Sequence, residues 1–260
     1  MKTFSIENLY DRCIQMNYFI AAGIALVPLT VLFTTVYWIP KSVLNYLPED
    51  VITKIPTSSN NEQSFDTVAL TFDDLPYGNH REIIELLDKY DMKATFFIIS
   101  SKITEEDKEI FVKAVRNGHQ LGNHGSTNSM HLLKNRKALS TEIEDCDKVI
   151  KEIYLLADIE LPTVMVYRPG CGLFCNETIE VAKELRYQLA LGSVYCHDAQ
   201  MPISTINYWY LLKHIENNDV IILHDRKWTL VLLTKLLPWL QENNYRSVTL
   251  DYSSYLDKTE

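Results

Sequence analysis

From residue 65 onward, short apolar segments with high β-propensity alternate with longer segments of helical periodicity. The predicted strands are 67–72, 94–99, a short one ending at 123–124, 163–167, 189–195, 220–223 and 247–252. The predicted helices are 80–90, 105–117, 137–156, one beginning at 176, 206–216 and 230–241. Because a helix separates most successive strands, the strands are expected to be parallel. This pattern predicts an α/β fold whose sheet closes, or nearly closes, into a barrel, with an open doubly wound sheet as the alternative.

The N-terminal part of the chain has a different composition. Residues 18–39 contain no formal charge, and these twenty-two residues are long enough to cross a bilayer as a helix. Tyr18, Tyr37 and Trp38 lie near the ends of this run, where membrane spans place aromatic anchors. A buried core helix or a cleaved signal peptide is the alternative. The predicted organisation is an N-terminal tail over 1–17, a transmembrane span over 18–39, a turn-rich linker over 40–64 and one domain over 65–255.

Charge and cysteine content limit the partners and the compartment. A net charge of −9 without a basic run argues against nucleic acid as a partner. A slight positive-inside bias places the N-terminus in the cytosol, so the domain is expected outside the cell or in the secretory lumen. Four cysteines follow the span, and they either form two disulfides or remain free thiols: Cys146, Cys171, Cys175 and Cys196. A glycosylation sequon begins at Asn176.

Titratable side chains follow the predicted strands, and a barrel would gather them at one face. They are Asp73, Asp74, His124, Arg168, Asp198 and His224. Side chains alternate along an extended segment, so Asp73 and Asp74 face different ways. One carboxylate could therefore hold a metal while the other handles a proton. Taken alone, the pair is equally consistent with a solvated turn or a helix cap.

Four ordered segments resemble the motifs of a known family. They read Thr71-Phe72-Asp73-Asp74, Asn123-His124, Tyr167-Arg168-Pro169 and, over 220–225, Val-Ile-Ile-Leu-His-Asp. In order and spacing they are similar to the polysaccharide deacetylases of the NodB-homology class, carbohydrate esterases that remove acetyl groups from N-acetylated sugars. The resemblance covers residues 65–252. It implies a distorted, incomplete (β/α) barrel and a divalent metal, commonly zinc, held by one Asp and two His.

The resemblance also implies roles for individual residues. The catalytic residues would be Asp73 as general base, Arg168 as the group that orients it, and His224 as general acid. The first metal ligands would be Asp74 and His124. Leu223 would line the acetyl pocket. The segment 192–198 is similar to a eukaryotic branch of the family. There Asp198 is expected to support the active-site network, while Tyr195 and His197 shape the substrate pocket.

The sequence departs from the family pattern at the third metal ligand. Asn128 stands where the family has a second His, four residues after His124. An amide oxygen is a neutral, hard ligand, so zinc affinity is expected to fall, cobalt or nickel could replace zinc, and metal binding could be weak or absent. His131 is the alternative ligand. Asn128 is the predicted third ligand.

Two functions remain open from the sequence. The first is a membrane-anchored, metal-dependent hydrolase that acts on a non-peptide carbon–nitrogen bond and removes N-acetyl groups from an N-acetylglucosamine polymer such as chitin. The second is a catalytically silent protein of the same fold that binds glycan or has a structural role at a cell wall or membrane. A transporter is disfavoured, because one apolar span is too few for folds built on repeated membrane helices.

Overall fold

The computed structural model describes residues 44, 47–56 and 65–252. The chain divides into two units at residues 47 and 48, and the fold described below belongs to the second unit, residues 48–260. The predicted span over 18–39 lies outside the described residues. Within the part of the chain that the structure describes, no helix is both long and apolar enough to cross a membrane.

Parallel strands and helices follow one another along the unit. The strands are β1 (Val51–Ile52), β2 (Asp66–Leu75), β3 (Ala94–Ile98), β4 (Gln120–Asn123), β5 (Val166–Tyr167), β6 (Gln188–Ala190), β7 (Val194–Tyr195), β8 (Val220–His224) and β9 (Tyr245–Ser247). The helices are α1 (His80–Lys89), α2 (Glu105–Arg116), α3 (Arg136–Ala157), α4 (Asn176–Glu184), α5 (Ser204–His214) and α6 (Lys227–Glu242). Short 3₁₀ turns occupy Ser100–Lys102, His131–Leu133 and Gly170–Gly172. The predicted α/β class is confirmed.

The sheet is parallel and curled. Its hydrogen-bonded order is β1-β6-β5-β4-β3-β2-β8-β7, with β9 paired to the beginning of β2. β6 ends at Ala190 and β7 begins at Val194, yet the two strands lie near opposite ends of this order, so the sheet must bend round on itself. Gly192 lies at the junction, where an added Cβ would be 2.5 Å from a side-chain carbon of Ile222 and 2.8 Å from the Val220 carbonyl oxygen. A curled, incomplete barrel is the predicted architecture, and the structure confirms it.

β2 lies at the centre of the sheet and is buried on both faces. It pairs with β3 on one side and β8 on the other, and all of its residues except Asp66 are buried. Leu70 and Phe72 pack in the cluster that includes the helices, whereas Ala69 packs with Phe97 in the smaller cluster on the other face. Because side chains alternate along a strand, Asp73 lies on the same face as Ala69. The side chain of Asp73 therefore points away from the helices.

The predicted linker over 40–64 contains a strand that the sequence analysis did not anticipate. β1 pairs in parallel with β6, and Ile52 and Ile55 belong to the same buried cluster as Ala69. The Ile55 amide donates to the Asn218 carbonyl oxygen at 2.8 Å. The short segment 51–55, which reads Val-Ile-Thr-Lys-Ile, lies between Pro48 and Pro56, and the turn-like composition around it hid the strand. Its residues complete the side of the sheet next to β6.

Candidate functional site

Asp73 and Arg168 form a buried ion pair at the carboxyl ends of the strands. Asp73 lies opposite His224 in the β2–β8 register. Arg168 follows β5 and is only 1% exposed. Its Nη1 donates to Asp73 Oδ1 at 2.6 Å and to the Thr71 hydroxyl at 2.8 Å. The structure thus brings the predicted base into contact with the residue predicted to orient it.

The backbone and an aromatic ring fix the other side of the Arg168 guanidinium. Its Nε and Nη2 donate to the carbonyl oxygens of Ala190 and Leu191 at 3.1 and 2.7 Å. The guanidinium carbon lies 4.0 Å from the centroid of the Phe97 ring. These contacts orient the guanidinium from several directions, so the carboxylate of Asp73 is held in one position.

His224 and Asp198 form the second buried pair. His224 ends β8, and its Nδ1 lies 2.9 Å from Asp198 Oδ1. Asp198 Oδ2 accepts from the His224 amide at 2.8 Å and from the Thr229 hydroxyl at 2.7 Å. Burial alone lowers the pKa of His224, but the hydrogen bond and the charge of Asp198 outweigh burial and raise that pKa above its usual value. The pair favours a protonated imidazole, which is the form a general acid needs.

Asp74 and His124 lie together, as expected for two ligands of one cation. Asp74 has a left-handed φ of 69°. Nε2 of His124 is 3.7 Å from Asp74 Oδ1. The other ring nitrogen, Nδ1, lies 2.7 Å from the Arg168 carbonyl oxygen, to which it donates. In neutral His124 this tautomer leaves the lone pair on Nε2, as a metal ligand requires.

Arg226, which no motif in the sequence marks, also binds Asp74. Its Nη2 donates to Asp74 Oδ2 at 2.6 Å. Its Nη1 donates to the Asp225 carbonyl oxygen at 3.0 Å, and its guanidinium lies 4.0 Å from the centroid of the Tyr77 ring. Burial raises the pKa of Asp74, but hydrogen bonds from His124 and Arg226, together with the charges of His124 and His224, outweigh it and hold that pKa well below its usual range. The only sequence signal for Arg226 was its place two residues after His224.

The predicted third ligand, Asn128, and its alternative, His131, are placed differently, and the ligand role of Asn128 stays a prediction. Asn128 is exposed in the loop between β4 and the turn at His131–Leu133. His131, the alternative, is buried, with Nδ1 at 2.7 Å from the Tyr167 hydroxyl and at 3.2 Å from the Gly170 amide, which donates to it. Burial lowers the pKa of His131 to about 4. His131 is therefore uncharged near neutral pH, and its hydrogen bond from the Gly170 amide stabilises the turn at Gly170–Gly172.

The donor set does not fit the three-ligand cation site that the family resemblance implies. Among the residues that the structure describes, no three His, Cys, Asp or Glu side chains are grouped so as to hold a metal. Asp74 and His124 supply two ligands, and one oxygen of Asp74 already accepts from the cationic Arg226. Protein zinc sites with catalytic roles ordinarily have three protein ligands.

The predicted substrate-binding residues differ in how they are placed. The Tyr195 ring centroid lies 4.2 Å from that of His197 and 5.6 Å from that of His224, so Tyr195 borders the candidate site. Asp198 supports His224 from a fully buried position. Leu223 is fully buried in the cluster that includes the helices, next to Phe72 in the strand register. Its role in lining an acetyl pocket stays a prediction.

Glu142 organises the loop after β4, and sequence reasoning missed it. This residue of α3 is buried, and its carboxylate accepts from the amides of Ser126 and Thr127 at 2.9 and 2.7 Å. The hydroxyls of both residues and the Lys134 ammonium also donate to it. Burial raises the pKa of Glu142, but these donors outweigh burial and lower it to about 2. The loop that begins at His124 is therefore fastened to α3.

The structure resolves the state of four cysteines, whereas glycosylation at the sequon is untested. Cys146, Cys171, Cys175 and Cys196 are free thiols in the structure, the first and last of them buried. Of the two alternatives that the sequence left, the structure therefore has the free thiols. The sequon residue Asn176 begins α4, and Thr178 of the same sequon is buried. Glycosylation stays a prediction.

Comparisons with known proteins find similar sequences over most of the described domain. The family model for polysaccharide deacetylase matches residues 60–190. A peptidoglycan-N-acetylglucosamine deacetylase of Bacillus cereus is 28% identical over 200 residues, which cover 74% of this chain and 88% of that protein. A chitin deacetylase of Arthroderma benhamiae is 26% identical over 195 residues, which cover 71% of this chain and 50% of that protein.

A solved structure shares the fold. It is the wild-type BA3943 protein of Bacillus anthracis, described as a CE4 family pseudoenzyme, and it superposes with a TM-score of 0.66 at 19% identity. The match covers 83% of this chain and 72% of that one. At this identity the likeness concerns the fold alone.

Proposed function

The chain belongs to the polysaccharide deacetylase family, and on that basis we propose that it is a hydrolase that removes N-acetyl groups from an N-acetylglucosamine polymer such as chitin. The names of its relatives support the sugar, because one is a peptidoglycan-N-acetylglucosamine deacetylase and another a chitin deacetylase. The bond broken would be the amide carbon–nitrogen bond of the acetamido group. Water supplies the oxygen of the released acetate, and the sugar keeps a free amine.

The observation that carries this proposal is the pair of supported catalytic groups on neighbouring strands. Asp73 and His224 are register partners on β2 and β8, and each is held by its own buried partner, Arg168 or Asp198. In the proposed reaction Asp73 accepts a proton from the attacking water, and protonated His224 gives a proton to the departing amine. The reaction needs one carboxylate and one imidazolium; Arg168 pairs with the Asp73 carboxylate, and Asp198 raises the pKa of His224.

Experiment must decide whether the proposed reaction needs a divalent metal. Deacetylases of this family generally use a divalent metal, which in a metalloenzyme polarises the carbonyl group and activates water. Because the described residues do not complete a three-ligand site, we assign no step to a metal. Zinc, cobalt or nickel would have to bind through Asp74, His124 and the exposed Asn128.

Acetate release from chitin oligomers tests the proposal. The full chain, purified in detergent, is assayed without metal and with zinc, cobalt or nickel, beside Asp73→Asn and His224→Gln. Asp91→Asn is the matched control, since Asp91 has an exposed side chain outside the site. We expect release by the wild type and the control, with a loss of at least a hundredfold in Asp73→Asn. Folded wild-type protein that releases no acetate under any of these conditions would refute a hydrolase.

A second candidate is a catalytically silent protein that binds glycan. The incomplete ligand set favours it, and the structural neighbour described as a CE4 family pseudoenzyme shows that the fold also occurs without activity. Binding of chitin oligomers, measured by calorimetry, separates the two functions. Retained binding without acetate release, unchanged in Asp73→Asn, identifies the silent protein.

We further propose that residues 18–39 anchor the chain in a membrane, with the folded unit outside the cell or in the secretory lumen. The support is the uncharged twenty-two-residue run and its terminal aromatic residues. Alkaline carbonate extraction followed by protease protection of sealed vesicles tests both parts. Release into the carbonate supernatant would contradict the anchor, and digestion from the cytosolic side would contradict the orientation.

A further inference from the structure

We propose that Arg226 supplies the positive charge that neutralises Asp74, in place of a divalent cation, so that the site is complete without a metal. The central contact is the 2.6 Å hydrogen bond from Arg226 Nη2 to Asp74 Oδ2. This inference uses the residues that the proposed function places in the active site and rests on that assignment. Its test reads metal binding rather than acetate release, so either proposal can fail alone.

The charges of the site are already balanced in pairs. Arg168 neutralises Asp73, Arg226 neutralises Asp74, and Asp198 pairs with the imidazole of His224. A divalent cation bound to Asp74 would lie next to the fixed positive charge of Arg226, and like charges at short range repel strongly in a partly buried site.

Arg226 is anchored in its position, unlike a loose surface arginine. Its side chain is 12% exposed and has three separate contacts, with Asp74, with the Asp225 carbonyl oxygen and with the Tyr77 ring. The Asp225 carboxylate in turn accepts from the Tyr77 and Asn79 amides at 2.5 and 2.9 Å. The loop after β2 and the segment before α6 are thereby tied to each other. The Tyr77 ring, the Asp225 carboxylate and the Arg226 guanidinium therefore hold one another in position.

The missing ligand and the added arginine act in the same direction. Asn128 replaces the imidazole that the family pattern expects and is exposed, while Arg226 occupies an oxygen of a ligand that remains. Either change alone lowers the affinity for a cation. Together the two changes favour the Asp74–Arg226 ion pair over a bound divalent cation at this site.

Metal titration of purified protein tests the inference. The full chain without an affinity tag is stripped with chelator and titrated with zinc by calorimetry and with cobalt by visible absorption. The variants are Arg226→Gln, Asp74→Asn, the double variant of these two, and Arg226→Gln combined with Asn128→His. Arg81→Gln is the matched control, because Arg81 pairs with an exposed Glu106 outside the site.

The expected results are distinct for each protein. The wild type and Arg81→Gln show no binding that Asp74→Asn removes. Arg226→Gln binds one equivalent of zinc or cobalt at least tenfold more tightly than any residual binding by the wild type. Adding Asp74→Asn abolishes this gain in affinity. Adding Asn128→His increases the affinity further. Failure of Arg226→Gln to gain affinity while folded would overturn the inference. So would wild-type binding of one zinc that depends on Asp74, a measurement that needs no variant of Arg226.

Discussion

Arg168 is the residue whose contacts reach furthest across the site. Its guanidinium joins β2, through Thr71 and Asp73, to the backbone at Ala190 and Leu191 after β6. A buried cation is costly to remove from water, and the cost is offset only where every donor has an acceptor. Most of these donors meet oxygens of two separate strands, so Arg168 stabilises the curl of the sheet as well as the position of Asp73.

Arg168→Met is expected to lower the free energy of unfolding by about 3–5 kcal/mol, because it leaves Asp73 as an unpaired buried carboxylate. Urea unfolding at neutral pH measures this loss. The double variant Arg168→Met with Asp73→Asn removes the orphaned charge and should recover part of the stability. A loss below about 1 kcal/mol in the single variant, within the range of exposed ion pairs, would contradict the buried pairing.

His224 provides a pH-dependent prediction. Because Asp198 raises the pKa of His224 above its unfolded value, the pair contributes stability that is fully present below the unfolded pKa. This contribution is lost as the pH rises through the folded pKa. We expect Asp198→Asn to lower the pKa of His224, as read from its imidazole signals by NMR, and to flatten that part of the pH–stability curve. An unchanged titration of His224 would show that Asp198 does not set its charge.

The sequence predicted the residues whose position follows from the strand ends. Asp73 lies near the end of β2, Arg168 follows β5 and His224 ends β8, so their convergence follows from the parallel sheet. Arg226 and Glu142 could not be predicted in the same way. Arg226 is one charged residue after a motif, and Glu142 is one of several carboxylates on a charged helix, so their contacts depend on tertiary packing rather than on the local pattern.

At the level of elements, α3 does more than cover the sheet. Its first turns carry Glu142, which collects donors from Ser126, Thr127 and Lys134 in the segment that leads away from β4. The same segment begins with His124. A helix that packs against the sheet is therefore also the support for a side chain of the candidate site, which explains why a buried carboxylate occurs on its apolar face.

Glu142→Gln is expected to lower the free energy of unfolding by about 1–3 kcal/mol at pH 6, because hydrogen bonds to a charged acceptor are replaced by weaker ones. The pKa of Glu142 is lowered to about 2 from an ordinary 4.5. Its contribution to stability is therefore present above pH 4.5 and lost as the pH falls toward 2. Unfolding in urea at pH 6 and pH 3 should show a smaller acid-induced loss in the variant. Equal losses in both proteins would assign the acid sensitivity to other groups.

The division of the predicted strand 189–195 shows what local patterns cannot convey. The run is mostly apolar, so it reads as one strand, yet the structure separates it into β6 and β7, which lie near opposite ends of the sheet order. Gly192 lies between them and allows close approach to Ile222. The break is imposed by the curl of the whole sheet, and a curl of that kind is a tertiary property.

At the scale of the whole molecule, the segment before the predicted domain is part of the fold. β1 extends the sheet beside β6, while Lys54 and Ile55 meet Asp219 and Asn218, the residues just before β8. Residues 51–55 consequently join the β6 side of the curled sheet to its β8 side. The edge that a domain beginning at residue 65 would leave open is covered by this segment.

Ile52→Ala distinguishes a structural strand from a linker. Ile52 is 6% exposed and packs in the same cluster as Ala190, so its truncation is expected to lower the free energy of unfolding by about 2–4 kcal/mol. Thr53→Ala, at the next and less buried position, is the matched control and should change it by less than about 1 kcal/mol. Urea unfolding, followed by circular dichroism, measures both. A linker would show no difference between the two variants, whereas a strand that belongs to the sheet requires the loss to occur in one cooperative transition shared by the entire sheet.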